Sequence, residues 1–185
     1  GVNATDVNVS AGRYAANPEL PMDLGAEAVG IVEAVGEGVE GFSEGDAVAT
    51  GGIGGGYREI QLVQARHAVP VPEASPEVLS IFVSGLTASI ALNVTGEMGE
   101  GETVFVTAAA GGTGQFAVQL AKRAGNTVIG TCGSDEKADL LRDLGCDRPI
   151  NYREEDVVER VRELTGGAGL PVVYDGVGRD TFFAS

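Results

Sequence analysis

The chain has 185 residues, which is the length of one domain and part of another and is enough to bury a sizeable core. Apolar residues make up 43%, and 12 basic residues against 27 acidic ones give a formal net charge of −15. A charge of this sign repels phosphate backbones and disfavours nucleic-acid binding, and no apolar run reaches the roughly 18 residues of a membrane helix. Two Cys and one His cannot supply a closed zinc site of four Cys or His ligands, and they disfavour a disulfide scaffold.

The first part of the chain, up to about residue 75, contains short β-branched apolar runs interrupted by Gly. Such a pattern is typical of a small barrel or sandwich, and it predicts strands at 28–35, 47–50, 57–63 and 68–71 with a turn at 41–46. A cluster of five Gly at 51–56 lies between two of these strands and has no helix start behind it. We therefore interpret that cluster as a loose hairpin turn and not as a phosphate-binding loop.

From Pro76 onward the pattern is first helical, with stretches beginning at Pro76 and at about Leu86, and then alternates between strands and helices. Strands are predicted at 103–107, 127–131, 149–152 and 172–174, and helices at 115–124, 135–144 and 154–164. The run 103–107 is continuously apolar, as expected for a parallel strand buried on both faces. This order predicts an open parallel sheet with helices on both faces.

The strongest local signal is Thr107-Ala108-Ala109-Ala110-Gly111-Gly112-Thr113-Gly114, which lies between a buried strand and a helix. Glycines at such a turn let the backbone approach a pyrophosphate, and the helix start offers free N–H groups and partial positive charge. The spacing departs from G-x-G-x-x-G because Ala108 or Ala109 replaces the first Gly. No Lys-Ser or Lys-Thr follows, so the motif is not a P-loop, and we interpret it as a dinucleotide-binding turn.

The choice between the two nicotinamide cofactors depends on the end of the second strand of this unit. An NAD site has an acidic residue there to bind the ribose 2′-hydroxyl, whereas here Thr131 is followed by Cys132-Gly133-Ser134. Asp135 is better explained as the first residue of the next helix, with Ser134 as its N-cap. Lys137 lies in the same first turn and can reach a 2′-phosphate, although a solvated helix residue is the alternative. The balance favours NADP(H).

Several motifs occur in the order found in the medium-chain dehydrogenase/reductase superfamily. They are Gly1-Val2-Asn3-Ala4-Thr5-Asp6, Gly25-Ala26-Glu27-Ala28-Val29-Gly30, Gly45-Asp46, the Gly-rich turn, Ile150-Asn151-Tyr152 and Val172-Val173-Tyr174-Asp175-Gly176-Val177-Gly178. The chain resembles the zinc-free quinone oxidoreductases (ζ-crystallin type), and most of all the prostaglandin reductase 3 group. The resemblance covers nearly the whole chain. It implies a partial GroES-like substrate domain over 1–75 and a partial NADP-binding Rossmann domain over 76–185.

The resemblance also implies roles for individual residues. In the cofactor site, Ala109, Gly111, Gly112, Thr113 and Gly114 would hold the pyrophosphate, Ser134, Lys137 and Tyr152 the adenosine 2′-phosphate, and Thr87 and Val177 the nicotinamide end. Asn3 and Tyr14 would face the substrate carbonyl as catalytic residues. In the zinc-dependent relatives a His precedes the Glu of the Gly-x-Glu motif. Here that position is Ala26, so no metal is expected, and Glu27 is interpreted as structural.

These roles imply an NADPH-dependent, zinc-independent reductase that transfers hydride to a quinone or to the activated C=C of an enone. Two alternatives stay open. One is a non-catalytic, crystallin-like NADPH-binding protein, and the other is the enoyl reductase module of a larger biosynthetic enzyme. The chain starts without Met and ends within an apolar helical pattern, so we expect a piece cut at both ends. No leader is visible, and we expect a cytoplasmic protein that is a homodimer at full length.

Overall fold

The computed structural model describes residues 1–13, 20–52, 54–182 and 185, and its contacts divide the chain into two units, Gly1–Val83 and Ser84–Ser185. The predicted domain boundary, between residues 75 and 76, stays a prediction. Each unit is described by itself below.

The first unit contains a three-stranded antiparallel sheet in the order β1-β2-β3, formed by Glu27–Ile31, Ala47–Gly51 and Ala68–Pro70. Ala28 pairs with Thr50, and Ala49 pairs with Val69 on the other side of β2. A short helix, α1 (Ala4–Ser10), precedes the sheet and was not predicted from the sequence. The antiparallel sheet confirms the predicted β-rich character of this part of the chain.

The predicted strand at 57–63 is wrong, because these residues form bends and irregular chain. Both sides of β2 are already paired, to β1 and to β3. The segment is instead attached by the side chain of Gln61, which donates to the carbonyl oxygen of Gly54 at 2.5 Å and accepts from the Thr50 hydroxyl at 3.2 Å. β1 is also shorter than predicted, because its pairing with β2 ends at Ile31.

The stretch Pro76–Thr95 is helical throughout and contains α2 (Pro76–Ser80) and α3 (Leu86–Ser89), each followed by wider π-type turns. Ser75 caps α2, since its hydroxyl accepts from the N–H of Val78. By length and composition this stretch is long and apolar enough to cross a membrane, with a mean hydropathy of 1.8. One such helix is weak evidence, because core helices and signal sequences pass the same test, and only 17% of the window is buried here. The expectation of no membrane contact therefore stays a prediction.

The second unit is built on four parallel strands in the order β6-β5-β4-β7, and this sheet confirms the predicted Rossmann-type fold. The strands are β4 (Thr103–Val106), β5 (Thr127–Cys132), β6 (Arg148–Asn151) and β7 (Val172–Tyr174), and the helices are α4 (Gly112–Arg123), α5 (Asp135–Asp143) and α6 (Val157–Thr165). The chain steps outward from β4 to β5 and β6, then returns to place β7 on the other side of β4. The strand order therefore reverses between β4 and β7.

The core of this unit follows from the alternation of side chains along β4. Val104 and Val106 face α4 and α5, where they pack with Val118, Val128 and Leu141. Phe105 points to the opposite face and packs with Ile129, Ile150 and the apolar stripe of α6. The predicted burial of this strand on both faces is confirmed, since all three residues are at most 4% exposed.

Local sequence determines where the helices begin. Ser134 caps α5 as predicted, with its hydroxyl accepting from the N–H of Lys137 at 3.3 Å. α6 begins at Val157 and not at 154, because the Asp156 carboxylate caps it by accepting from the N–H of Glu159 at 2.9 Å. α4 begins at Gly112, three residues earlier than predicted, so the last glycines of the Gly-rich turn belong to its first helical turn.

Candidate cofactor-binding and substrate sites

The Gly-rich turn after β4 is held against the neighbouring strand β5. The N–H of Ala109 donates to the carbonyl oxygen of Thr131 at 2.9 Å, and the N–H of Ala108 donates to the Thr131 hydroxyl at 3.1 Å. Ala108 has φ of +47°, a left-handed conformation that L residues rarely adopt. The turn is thus fixed in a conformation that brings the start of α4 close to the ends of β4 and β5.

Gly114 is required by close packing between α4 and this turn. A β-carbon at Gly114 would lie 2.7 Å from the Cα of Ala109 and closer still to the carbonyl oxygen of Ala108. The N–H groups of Gly112, Thr113 and Gly114 occupy the first turn of α4, where a helix has no internal acceptor for them. Together with the helix dipole they form a site suited to a phosphate group.

A cavity of about 830 Å³ extends from the Gly-rich turn, at the carboxyl edge of the sheet, along α6 and the residues that follow it. Four of the predicted cofactor residues line it, namely Gly111, Lys137, Tyr152 and Val177. Ala109 is fully buried behind the turn, Ser134 caps α5, and Thr87 is exposed on α3, which packs against α4. The structure thus brings Gly111, Lys137, Tyr152 and Val177 to one cavity, whereas Ala109, Ser134 and Thr87 do not line it, and the role of all these residues in binding stays a prediction.

One end of the cavity has the features expected around a 2′-phosphate. Tyr152 lies against Gly133, where a β-carbon would be 2.5 Å from the phenolic oxygen. Asp135, the acid nearest the end of β5, accepts from the amide of Asn151 at 3.0 Å. Lys137 is exposed and lines the cavity. One oxygen of Asp135 is therefore engaged in a structural hydrogen bond, while an ammonium and a phenol line the cavity and the Ser134 hydroxyl caps the adjoining helix.

The two cysteines are structural. Cys132, at the end of β5, and Cys146 are both buried, and their thiols point at backbone carbonyl oxygens, Ile150 for the first and Val128 for the second. Burial raises the pKa of both thiols, that of Cys146 to about 11. Neither is a thiolate at neutral pH, so neither acts as a nucleophile.

A hydrogen bond that the sequence did not indicate joins β7 to α4. The Tyr174 phenol is hydrogen-bonded to the side chain of Thr113 in the first turn of α4. The side chain of Thr113 thus joins the start of α4 to β7, and its contribution to a phosphate site stays a prediction.

In the first unit, Asn3 belongs to a cluster of polar side chains. Its amide nitrogen donates to Glu27 Oε1 at 2.9 Å, and Glu27 Oε2 accepts from the N–H of Val83 at 3.1 Å. Glu27 is 5% exposed, and these bonds agree with its predicted structural role. Tyr14, the second predicted catalytic residue, lies outside the described residues.

Sequence reasoning missed two members of this cluster, Asp6 and Tyr57. The Asp6 carboxylate accepts from the N–H groups of Ala26 and Asn3, each at 2.8 Å, and from the Tyr57 hydroxyl. Burial alone would raise the pKa of Asp6, but these hydrogen bonds outweigh it and the pKa lies below its usual value. Burial, followed by the bond to Asp6, raises the pKa of the Tyr57 phenol, which is 47% exposed.

The possible zinc ligands are scattered in the part of the chain that the structure describes. Across residues 1–13, 20–52, 54–182 and 185, no group of three or more His, Cys, Asp or Glu side chains is arranged to hold a metal. His67 instead accepts from the Arg66 side chain at 3.2 Å. The Asn3 cluster offers two carboxylates that are already occupied by hydrogen-bond donors.

The reversal of strand order beside a Gly-rich strand-to-helix turn defines the second unit as a Rossmann-type α/β unit with an anion-binding turn. Residues 1–73 match the family described as "Alcohol dehydrogenase GroES-like domain", and residues 112–185 match the family described as "Zinc-binding dehydrogenase". The chain belongs to the medium-chain dehydrogenase/reductase superfamily, close to prostaglandin reductase 3 and the quinone oxidoreductases.

Individual relatives agree with this assignment. The chain is 50% identical over 183 residues to prostaglandin reductase-3 of Mus musculus, covering 98% of this chain and 48% of the relative. It is 43% identical over 188 residues to the quinone oxidoreductase of Salmonella typhimurium, covering 100% of this chain and 57% of the relative. The structure of the Escherichia coli quinone oxidoreductase in complex with NADPH matches with a TM-score of 0.94 and 41% identity. The match covers 100% of this chain and 57% of that structure's chain. The chain thus spans about half the length of the relatives it matches.

Proposed function

We propose that the protein containing this chain is an NADPH-dependent reductase that transfers hydride to a quinone or to the activated C=C of an enone. The observation that supports it best is the end of β5, where Lys137 and Tyr152 line one cavity, Ser134 caps the helix that carries Lys137, and Asp135 accepts from the amide of Asn151. The similarity to quinone oxidoreductases and to prostaglandin reductase-3 supports the same reaction class.

The residues of the second unit are suited to hold the cofactor in an extended form across the sheet edge. The N–H groups at the start of α4 would bind the pyrophosphate, and Lys137, Ser134 and Tyr152 would bind the 2′-phosphate. The Ser134 hydroxyl accepts from the N–H of Lys137 and keeps its own hydrogen for a phosphate oxygen. When bound, NADPH supplies the hydride, which adds to the electrophilic carbon of the substrate.

Asn3 would stabilise the negative charge that develops on the substrate carbonyl oxygen. One hydrogen of its amide is donated to Glu27, which fixes the orientation of the side chain and leaves the second hydrogen for the substrate. A neutral amide donor does here what a metal ion does in zinc-dependent relatives. On the resemblance alone, the Tyr14 hydroxyl would be a second hydrogen-bond donor to the substrate carbonyl oxygen.

The test is a turnover screen of the full-length protein with NADPH against quinones, small enones and keto-prostaglandins. We expect turnover with at least one of these classes, and a loss of at least tenfold in kcat/KM, about 1.4 kcal/mol, in Asn3→Ala. Asn93→Ala is the matched control, because Asn93 is exposed and bonds only within its own helix, to Ser89. NADPH binding without any turnover would favour the non-catalytic alternative, and no NADPH binding would contradict the proposal.

We also propose that the reaction needs no metal. The position of the ligand His in zinc-dependent relatives is Ala26, and the described side chains do not suit zinc. We expect elemental analysis of the active full-length protein to find well below one zinc per chain, with activity unchanged after treatment with a chelator. One stoichiometric zinc lost together with activity would contradict this.

We propose, on the resemblance alone, that the full-length protein is a homodimer and is located in the cytoplasm. Sedimentation of the full-length protein and fractionation of its source cells test these two statements separately.

A further inference from the structure

Asp175 lies directly after β7 and gathers an unusual number of hydrogen-bond donors on one oxygen. Its Oδ1 accepts from the hydroxyls of Thr107 at 2.8 Å and Thr181 at 2.7 Å, and from the N–H groups of Val177 at 3.0 Å and Gly178 at 3.2 Å. The Thr107 hydroxyl in turn accepts from the N–H of Gly176 at 3.0 Å. One carboxylate therefore organises the whole segment 176–181 and attaches it to the residue that follows β4.

The other oxygen of this carboxylate, Oδ2, is buried and has no hydrogen-bond partner among the described residues, which lowers the stability of the folded chain. Burial alone would raise the pKa of Asp175, but the bonds from Thr181, Val177, Gly178 and Thr107 outweigh it and the pKa lies below its usual value. The group is thus ionised at neutral pH, with one oxygen saturated and the other desolvated. Buried polar atoms in proteins nearly always have a hydrogen-bond partner, so this atom needs an explanation.

The position of this network in the sheet supplies that explanation. Thr107 follows β4 and Asp175 follows β7, so their hydrogen bond crosses the crevice where the strand order reverses. In open α/β sheets this crevice is where ligands bind. Lys137 and Tyr152 lie on the β5 and β6 side of the Gly-rich turn. A dinucleotide with its 2′-phosphate there and its pyrophosphate at α4 must extend its nicotinamide half toward β7.

The segment organised by Asp175 borders the cavity at that end. Val177 and Thr181 line the cavity, and the N–H of Val177 is directed to Asp175. We propose that Asp175 is a positioning residue, which holds the 176–181 segment and Thr107 in the conformation that receives the nicotinamide half of the dinucleotide. It acts through these neighbours and not on the reacting atoms. This inference rests on the proposed function.

The experiment compares ligands that contain one half or both halves of the dinucleotide. In the full-length protein, Asp175→Asn keeps an accepting oxygen but removes the charge. We expect its dissociation constant for 2′,5′-ADP to stay within about twofold of wild type, while that for NADPH rises at least tenfold and kcat falls. Lys137→Ala should weaken 2′,5′-ADP and NADPH together. Asp143→Asn, which removes an exposed carboxylate at the end of α5, is the control for lost charge.

Each remaining outcome is decisive. Equal weakening of 2′,5′-ADP and NADPH in Asp175→Asn would show a general structural role and overturn the inference, as would unchanged binding of both. If Asp175→Asn does not fold, Thr181→Val decides, because it removes only one of the four donors. It should weaken NADPH about two- to threefold and leave 2′,5′-ADP unchanged, and any other result overturns the inference. A wild type that binds neither ligand would instead contradict the proposed function.

Discussion

Replacing Gly114 with alanine should lower the free energy of unfolding of the full-length protein by about 2 kcal/mol and weaken NADPH binding at least tenfold. The new β-carbon would lie 2.7 Å from the backbone of Ala109, and backbone atoms cannot rotate away as a side chain can. Overpacking of this kind costs about 1–3 kcal/mol, and we place this site at the upper end because hydrogen bonds to Thr131 fix the turn. The higher helix propensity of alanine offsets up to about 1 kcal/mol.

The weaker binding has the same cause. To make room, the start of α4 must move away from the turn, and the N–H groups that face a phosphate move with it. Chemical denaturation measures the stability, and fluorescence titration with NADPH measures the affinity.

Gly112→Ala is the control for the stability measurement alone, because it adds the same methyl group two residues earlier in the same helix. There the nearest atom is the Ser84 hydroxyl oxygen at 3.3 Å, which can move by rotation of the side chain. We expect the free energy of unfolding of Gly112→Ala to differ from that of the wild type by less than about 0.5 kcal/mol. If Gly114→Ala were as stable as wild type and bound NADPH normally, the contact between α4 and the turn would not be the constraint that requires glycine.

Replacing Lys137 with alanine should raise the KM for NADPH about tenfold and leave the KM for NADH nearly unchanged. A hydrogen bond to a charged group contributes about 1.5–3 kcal/mol, and we take the lower end because Lys137 is exposed and water screens its charge. Only NADPH carries the 2′-phosphate that this ammonium would contact. Steady-state kinetics with both cofactors at fixed substrate measures the difference.

Arg142→Ala is the matched control, because Arg142 is a cation on the same helix α5 that pairs with Asp139 and does not line the cavity. It should change neither KM. A wild-type protein that uses NADH and NADPH equally well would contradict the cofactor preference. Equal loss with both cofactors in Lys137→Ala would show that the substitution disturbs α5 and not the phosphate contact.

The sequence by itself predicted the second unit well, because its signals are local. Val104, Phe105 and Val106 are apolar because both faces of β4 are buried. Ser134 caps α5, which begins at the next residue. The Gly-rich turn was recognised from its position between strand and helix. Its helix begins three residues earlier than predicted, at Gly112, because Gly114 packs closely on the turn and is helical in spite of the low helix propensity of glycine.

The tertiary structure alone decided the features that depend on residues far apart in the chain. Thr107 and Asp175 are 68 positions apart, and no periodicity or spacing connects them. Tyr57 begins a run in which Ile60, Leu62 and Val63 are also apolar, as expected for a strand. Its segment is nevertheless irregular, because Gly25 and Gly56 pack so closely that a β-carbon on Gly25 would lie 2.5 Å from the backbone nitrogen of Tyr57, and because both edges of β2 are taken. Local sequence determines which elements can form, whereas strand order and close backbone contacts determine which of them pair and which polar side chains meet at the carboxyl edge of the sheet.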